Sequence, residues 1–299
     1  MFPKVPDHHK PNKPLVSNGL GVIYVVASST YLFLLYFFKI VQANGSSGSS
    51  PALTLAVCIL FGGFMGLLDD WMDLRWRYKA FLPILASLPL AALREGTPIM
   101  STYLWGKIDF RTLNVLGVSG EIIFYFVVIP LIVTVTTNTV NQMGGLNGLE
   151  TVCPSIVLLG LFFGSASGLQ VLLYVPLLVY ILLSFFNFRG KIFVGNTGSF
   201  AIGITIASYA IVANIEQTLV ISILPYVFNS LLILTGYFVL RKRASVSFDG
   251  KKLFSEHIRS LITLVTYNHP LTERRVVTII SVLVAISTFA ALFVQQLFS

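Results

Sequence analysis

Charged residues are scarce in this chain of 299 residues. Asp, Glu, Lys and Arg together make up only 11% of it, whereas soluble globular domains contain roughly 25%. Hydrophobic residues account for 55%, and the mean hydropathy is +0.83. This composition excludes an ordinary soluble domain. It predicts an all-α protein in which residues 1–299 form one polytopic bundle of transmembrane helices.

The chain is also poor in cysteine, with only Cys58 and Cys153. Both fall in or beside apolar stretches, so we expect neither a structural disulfide nor a zinc site with four ligands. The sequence also lacks a Ser-His-Asp arrangement, a Walker loop and a dinucleotide fingerprint. A hydrolase, an ATPase and a dehydrogenase are therefore not supported.

Nine windows of mainly apolar residues predict nine membrane spans. The windows are 22–42, 52–68, 80–93, 122–136, 152–164, 169–188, 199–213, 219–240 and 276–298. The third, fifth and seventh are short against the roughly 20 residues that a helix needs to cross the hydrocarbon core. Re-entrant segments are the alternative for these three windows.

The distribution of Lys and Arg agrees with nine crossings and a cytoplasmic amino terminus. Sixteen of the twenty basic residues then lie inside, and those outside are Lys39, Arg94, Lys107 and Arg111. The net charge of +8 is therefore interpreted as a sign of topology. Nucleic-acid binding is a poor alternative, because the basic residues are spread over several short loops beside lipid.

Two loops carry predictions of local structure. In the outer loop, a turn centred on Gly106 predicts a short hairpin within residues 103–110. On the inner side, the helical spacing of Phe254, Ile258 and Leu261 predicts an interfacial helix over residues 253–266. A lipid-facing connector is the alternative for that second segment.

Asp69 and Asp70 stand side by side at the end of an apolar window, where a buried carboxylate is costly. Both are ionised cheaply only when a cation or a base shares the space, so the pair predicts proton transfer or a nearby Mg²⁺. Asp73 and three basic residues follow at once, namely Arg75, Arg77 and Lys79. A surface network of ion pairs is the alternative.

Segment 138–150 interrupts two apolar windows with three asparagines and three glycines. Asn offers a neutral oxygen to a hard cation, and both a donor and an acceptor to the edge of a nucleobase. Glycine lets the backbone approach a ligand closely. A plain turn would need fewer of these residues, so the segment predicts a binding site.

Three further inner segments are polar or basic. The glycine-rich turn at 193–199 opens a helix whose free N–H groups suit an anion, with a simple N-cap as the alternative. At 241–243, two arginines suit a diphosphate, although a basic flank of the membrane explains them equally well. Segment 7–14 is interpreted as a positive-inside anchor, with a substrate contact as the alternative.

In these segments the sequence resembles the polyprenyl-phosphate N-acetylhexosamine-1-phosphate transferases, and above all their eukaryotic and archaeal branch. The resemblance runs nearly end to end and rests on residues 66–70, 74–79, 138–150, 193–197 and 225–229. Leu-Arg-Trp-Arg at 74–77 and Leu-Asn-Gly-Leu-Glu at 146–150 favour this branch over the bacterial cell-wall translocases.

The resemblance implies a Mg²⁺-dependent enzyme that transfers GlcNAc-1-phosphate from UDP-GlcNAc to a polyprenyl or dolichyl phosphate and releases UMP. It implies that Asp69 and Asp70 position or deprotonate the lipid phosphate, and that Asn141 and Asn196 are metal ligands. Asn147 and Phe193 would hold the uracil. The other implied substrate contacts are Lys79, Asn138, Gly145, Arg241 and Arg243. A homodimer is a further expectation.

The chain departs from the family pattern in three ways. Asn196 replaces an aspartate, which should weaken Mg²⁺ binding. Lys242 stands between Arg241 and Arg243, where the family usually has a histidine. The family also has one span more than the nine predicted here, and we expect the missing span to be the one before Asp7.

Other functions stay open beside this transferase. One alternative is a related enzyme that uses another UDP-amino sugar for cell-wall polymers, and another is a non-catalytic relative that binds lipid or nucleotide. A transporter is disfavoured because the predicted spans contain almost no charged residues. Short loops favour an archaeal plasma membrane over the endoplasmic reticulum, with the active site on the cytoplasmic side.

Overall fold

The computed structural model describes residues 2–41, 50–102, 106–115, 117–242 and 245–298. Most of these residues are helical, which confirms the predicted fold class. The helices are α1 Gly21–Phe37, α2 Pro51–Met72, α3 Trp76–Ala92, α4 Gly120–Ile123, α5 Ile129–Gln142, α6 Leu149–Gly164, α7 Ser167–Gln170, α8 Tyr174–Phe188, α9 Gly195–Val212, α10 Glu216–Ser222, α11 Leu224–Leu234, α12 Leu261–Thr266 and α13 Glu273–Phe298. Two π-helical turns, Phe124–Val128 and Thr235–Val239, adjoin α5 and α11.

Each of the nine predicted windows overlaps a helix. Among the described residues, four helical stretches are long and apolar enough to cross a membrane: Pro51–Met72, Gly120–Gln142, Ser167–Phe188 and Glu273–Leu297. Glu216–Ser222 and Leu224–Val239, bent by 55°, make a fifth if they count as one broken span. The protein is therefore an integral membrane helical bundle, while the count of nine spans stays a prediction.

The strands of the described chain form short antiparallel hairpins: β1 Lys4–Pro6 with β2 Leu15–Ser17, β3 Ile99–Thr102 with β4 Gly106–Asp109, β5 Asn114–Val115 with β6 Val118–Ser119, and β7 Ser247–Phe248 with β8 Leu253–Phe254. The pairing of β3 with β4 confirms a hairpin in the outer loop. The predicted centre of the turn is wrong, because Gly106 pairs with Thr102 within this hairpin. Residues 103–105 of the predicted segment lie outside the described ranges.

The interfacial helix predicted over 253–266 is wrong in its first half, since Leu253–Phe254 pairs as β8. Helix α12 begins only after Ser260, whose side chain accepts a hydrogen bond from the backbone N–H of Thr263. The Thr263 hydroxyl in turn accepts one from the backbone N–H of Ser260. This reciprocal capping box satisfies donors that a longer helix would have used internally.

Helix α9 occupies the centre of the bundle. All its residues from Thr197 to Val212 are buried, and it packs against α1, α2, α5 and α6. A helix that is apolar on every side belongs in a core rather than at a lipid boundary. The position of α9 therefore sets the position of every segment that adjoins its ends.

Gly66 allows α2 to approach the start of α9. A Cβ on Gly66 would lie 2.2 Å from the carbonyl oxygen of Asn196 and 2.5 Å from Cα of Thr197. Small residues permit such close contact of backbones between membrane helices, where packing rather than the hydrophobic effect drives association. The contact brings the last turn of α2, with Asp69 and Asp70, against the first turn of α9.

We predict that Gly66→Ala forces α2 and α9 apart, because the new Cβ meets backbone that has no free rotation. Overpacking of this kind costs roughly 1–3 kcal/mol, so the thermal midpoint in detergent should fall clearly. Gly168→Ala is the matched control, since a Cβ at Gly168 meets nothing within 4 Å. Equal melting temperatures of the Gly66→Ala protein and the wild type would contradict this close contact.

Candidate functional site

Asp69 is a buried carboxylate paired with Lys79. Lys79 Nζ lies 2.9 Å from Asp69 Oδ1, and the backbone N–H of Leu74 donates to the same oxygen at 3.0 Å. The other oxygen, Oδ2, is buried and has no hydrogen-bond partner. Asp73 ends α2 in the left-handed conformation with φ 46°, and the reversal returns Lys79, in the first turn of α3, to Asp69.

Asp70 caps helix α9 from outside. Its Oδ1 accepts from the backbone N–H of Asn196 at 2.8 Å, and its Oδ2 accepts from the backbone N–H and the hydroxyl of Thr197 at 2.9 and 2.7 Å. Gly195 makes room, since a Cβ there would lie 2.8 Å from Asp70 Oδ2. The expectation that the turn offers free amides to a phosphate is therefore wrong for Asn196 and Thr197.

The two adjacent acids thus serve different partners. Successive side chains on a helix point about 100° apart, so Asp69 turns toward α3 while Asp70 turns toward α9. Each carboxylate is stabilised by its own donors. Lys79 is a basic group of the kind expected beside this pair, and a nearby Mg²⁺ stays a prediction.

Two of the predicted site asparagines lie on α5, at the neighbouring face of α9. Asn141 Oδ1 accepts from the hydroxyl of Ser199 at 2.6 Å, and Asn138 Nδ2 donates to the carbonyl of Ala80 at 3.0 Å. These bonds tie α5 to α9 and to α3. The amides therefore lie between Lys79 and the first turns of α9.

Asn147 belongs to a separate polar cluster. Its Nδ2 donates to Asp7 Oδ2 at 2.8 Å and to Glu273 Oε1 at 2.9 Å. Asp7 is only 2% exposed, so its carboxylate packs inside the protein, while the positive-inside role of segment 7–14 stays a prediction. The sequence analysis did not identify Glu273 as a partner of Asn147, because an acid at a helix start is ordinarily explained by the helix dipole.

The glycine loop before α6 is held by Asn187, which is fully buried. Its Oδ1 accepts from the backbone N–H of Gly148 at 2.7 Å and from the Thr151 hydroxyl at 3.0 Å. Its Nδ2 donates to Glu150 Oε1 and to the carbonyl of Ile192. One amide therefore ties the loop at 143–148 to the turn before α9.

A cavity of about 200 Å³ opens where these loops meet. Phe193, Gly145, Asn147 and Asp7 line it, together with Pro6, His8, His9, Leu146 and Glu150. Phe193 is fixed by backbone pairing with the amino-terminal segment, since its N–H donates to Ser17 at 2.8 Å. The structure thus brings together three of the predicted substrate-binding residues, Gly145, Asn147 and Phe193.

A larger groove of about 810 Å³ lies between α3, α5 and α11. Its walls are mainly apolar side chains of α3, α5, α11 and the turn that follows α11. Lys79, Asn138 and Asn141 contribute its polar lining. The groove therefore joins an apolar trough to the basic partner of Asp69.

Arg241 lines neither the small cavity nor the large groove. It lines a further cavity of about 490 Å³ with Tyr237, Phe238 and Lys242. Tyr237 and Phe238 also line the large groove, so Arg241 lies near the rim of that groove. Arg243 lies outside the described residues, and its place relative to the site stays a prediction.

Metal ligands are sparse in this arrangement. In the described ranges, no cluster of three or more His, Cys, Asp or Glu side chains could hold an ion. Asn141 and Asn196 supply neutral oxygens, and Asp69 Oδ2 is a buried oxygen without a donor. Since Mg²⁺ is usually held by one or two carboxylates plus substrate phosphates, the donor set fits an ion that is shared with a bound substrate.

Residues 52–214, more than half of the chain, match the sequence profile of glycosyl transferase family 4. The chain belongs to this family. The matched region of the family 4 profile runs from α2 to α9 and includes most of the site described above, but not Arg241. The family predicted from the motifs is therefore confirmed.

Three relatives extend the comparison of this family 4 chain. A Saccharolobus solfataricus protein, provisionally named as a UDP-N-acetylglucosamine–dolichyl-phosphate N-acetylglucosaminephosphotransferase, is 30% identical over 97% of this chain and 87% of its own length. The Dictyostelium discoideum protein of that name is 29% identical over 72% of this chain and 59% of its own length. A phospho-N-acetylmuramoyl-pentapeptide-transferase of Streptococcus pyogenes is 26% identical over 78% of this chain and 70% of its own length.

We predict that Lys79→Met strongly destabilises the family 4 fold, because it leaves the Asp69 carboxylate buried without its cation. Breaking a buried pair costs about 3 kcal/mol at the lower end of the usual range, and the 27% exposure of Lys79 favours that end. Adding Asp69→Asn should recover part of the loss in a double-mutant cycle followed by thermal melting.

Arg77→Met is the matched control for Lys79→Met. Arg77 is exposed on the same helix, so its loss should change stability by no more than about 0.5 kcal/mol. Additive effects of the Lys79 and Asp69 substitutions would show that the two side chains are not coupled.

Proposed function

We propose that this chain transfers GlcNAc-1-phosphate from UDP-GlcNAc to a polyprenyl or dolichyl phosphate and releases UMP. One observation carries the proposal: a small cavity adjoins Phe193, just before α9, while an apolar groove adjoins Asn141, which bonds to α9, and Lys79, which pairs with Asp69. This arrangement suits a reaction between a water-soluble nucleotide and a lipid phosphate. The names of the archaeal and Dictyostelium relatives support the same activity.

The large groove suits the lipid acceptor. Its apolar walls fit an isoprenoid chain, and Lys79 places a positive charge at its polar part. Trp76 packs edge-on against Phe238 at a centroid distance of 5.6 Å and against Tyr237 at 6.0 Å, which gives the groove an aromatic wall. We infer that the phosphate of the acceptor pairs with Lys79.

The small cavity suits the uridine of the donor. Phe193 offers a ring for stacking, and Gly145 leaves space for a flat base. Asn147 supplies polar contacts to the base edge. The diphosphate then extends past the start of α9 toward Lys79, and Arg241 neutralises charge near the groove rim.

Asp69 and Asp70 have distinct parts in the proposed mechanism. Asp69 Oδ2 is free of donors and suits proton acceptance from the lipid phosphate, whereas Asp70 positions α9 because its oxygens already accept hydrogen bonds. A lipid phosphate oxygen attacks the sugar-bearing phosphorus, the bond from that phosphorus to the bridging oxygen breaks, and UMP leaves with the electron pair. Lys79 offsets the charge that accumulates in the transition state.

The proposal includes Mg²⁺, with Asn141 and Asn196 as its protein ligands. The chemistry that the ion supplies when bound is charge neutralisation on the diphosphate of the donor. We also place the site on the cytoplasmic side of an archaeal plasma membrane, supported by the bias of basic residues and by the archaeal relative. A homodimer stays a prediction.

The activity is tested by UMP release from the purified chain with a short polyprenyl phosphate, Mg²⁺ and UDP-GlcNAc. We expect Asp69→Asn to lower turnover by about 100-fold or more, the usual effect of losing a general base. Asp109→Asn is the matched control, because the Asp109 carboxylate lies in the β4 hairpin and pairs with Arg111 rather than with a predicted site residue. UMP formed only from UDP-MurNAc-pentapeptide or UDP-GalNAc would contradict the proposed donor, and no UMP from any donor would contradict the transferase.

Asn196→Asp tests the proposed metal site. A carboxylate binds Mg²⁺ more strongly than an amide oxygen, so we expect half-maximal activity, and Mg²⁺-dependent thermal stabilisation, at a several-fold lower Mg²⁺ concentration. Asn114→Asp is the control, since Asn114 lies in the exposed β5 hairpin remote from this site. An unchanged Mg²⁺ dependence would exclude position 196 as a ligand.

A further inference from the structure

Two carboxylates from distant parts of the chain accept hydrogen bonds from the side-chain amide of Asn147. Asp7 Oδ2 lies 2.8 Å and Glu273 Oε1 lies 2.9 Å from the same Nδ2 atom. An ionised carboxylate only accepts hydrogen bonds, and an amide nitrogen has two hydrogens to donate. Both N–H groups are therefore used, and the orientation of the amide is determined rather than arbitrary.

The hydrogen bonds from Asn147 to Asp7 and Glu273 are buried, and further contacts support them. Asp7 is 2% exposed and Asn147 is 4% exposed. The backbone N–H of Asn147 also donates to Glu273 Oε1 at 2.9 Å, so Glu273 holds both the main chain and the side chain. Lys10 Nζ lies 3.8 Å from Asp7 and 3.9 Å from Glu273, which reduces the repulsion between the two acids.

The remaining polar atom of this amide has no partner. Asn147 Oδ1 is buried and accepts no hydrogen bond from the described residues. A buried acceptor without a hydrogen-bond partner lowers the stability of the fold by roughly 1–3 kcal/mol. Its presence here therefore calls for an explanation. Asn147 lines the small cavity together with Phe193 and Gly145, so the buried unused acceptor belongs to a residue in the wall of a site suited to a flat base.

We propose that Asp7 and Glu273 are positioning residues that lock Asn147 as a hydrogen-bond acceptor, and that this lock selects a base with a ring N–H, as in uracil. Cytosine has an acceptor at the equivalent ring nitrogen, so two acceptors would face each other unpaired. The inference rests on the proposed use of a uridine nucleotide. It adds the residues that make the site specific for uracil.

The test compares the affinities of UMP and CMP for the full chain in detergent by equilibrium dialysis. We expect the wild type to prefer UMP by about 100-fold or more, in line with sites that leave a polar group unpaired in the wrong complex. Glu273→Leu removes the acceptor that holds both the main chain and the side chain of Asn147 and leaves Asp7 alone to orient the amide, so the UMP to CMP preference should fall at least about tenfold. Glu273→Gln keeps an acceptor oxygen and should retain most of the preference.

The same comparison is made at the other acid with Asp7→Leu and Asp7→Asn. These two variants carry the test if thermal melting shows that Glu273→Leu is unfolded. Arg274→Gln, at the exposed next position of α13, is the control and should leave the preference unchanged.

The outcomes separate this inference from the proposed function. A wild type that binds UMP and CMP equally overturns the lock whatever the variants do. Equal weakening of both nucleotides by the leucine variants shows structural support only, and also overturns it. A wild type that binds neither UMP nor UDP contradicts the use of a uridine nucleotide itself, and with it the proposed donor.

Discussion

The hydrogen bonds from the first turn of α9 to Asp70 are the interaction on which this structure depends. The N–H groups in the first turn of α9 have no partner inside the helix, so an acceptor from another segment stabilises them. Asp70 accepts from two of them and from the Thr197 hydroxyl, and its negative charge suits the positive end of the helix. Gly66 makes this cap possible by allowing α2 to touch the α9 backbone.

The cap gives the two adjacent acids different hydrogen-bond partners. With Asp70 committed to α9, Asp69 is left with Lys79 on one oxygen and nothing on the other. A single helix turn therefore supplies one carboxylate whose two oxygens both accept hydrogen bonds and one carboxylate with an oxygen that accepts none. Phe193, in the wall of the small cavity, precedes α9 in the chain, and Asn141, in the wall of the apolar groove, bonds to Ser199 of α9.

The asparagines of the site show how burial distinguishes structure from recognition. Asn187 uses its donor and acceptor atoms entirely within the protein, and it joins the glycine loop to the turn before α9. Asn147 is equally buried but keeps one acceptor unused. Asn187 therefore ties two segments of the chain together, whereas the unused acceptor of Asn147 is the observation on which the proposed contact with uracil rests.

The sequence by itself determined the helical membrane bundle, the loops that form the site and the family, because apolar windows, charge bias and motif spacing are local properties of the chain. It could not assign separate partners to Asp69 and Asp70, or join Asp7 to Glu273 through Asn147. Those assignments depend on contacts between residues far apart in the sequence. Only the tertiary structure decided them, since the packing around α9 sets which donor reaches which acceptor.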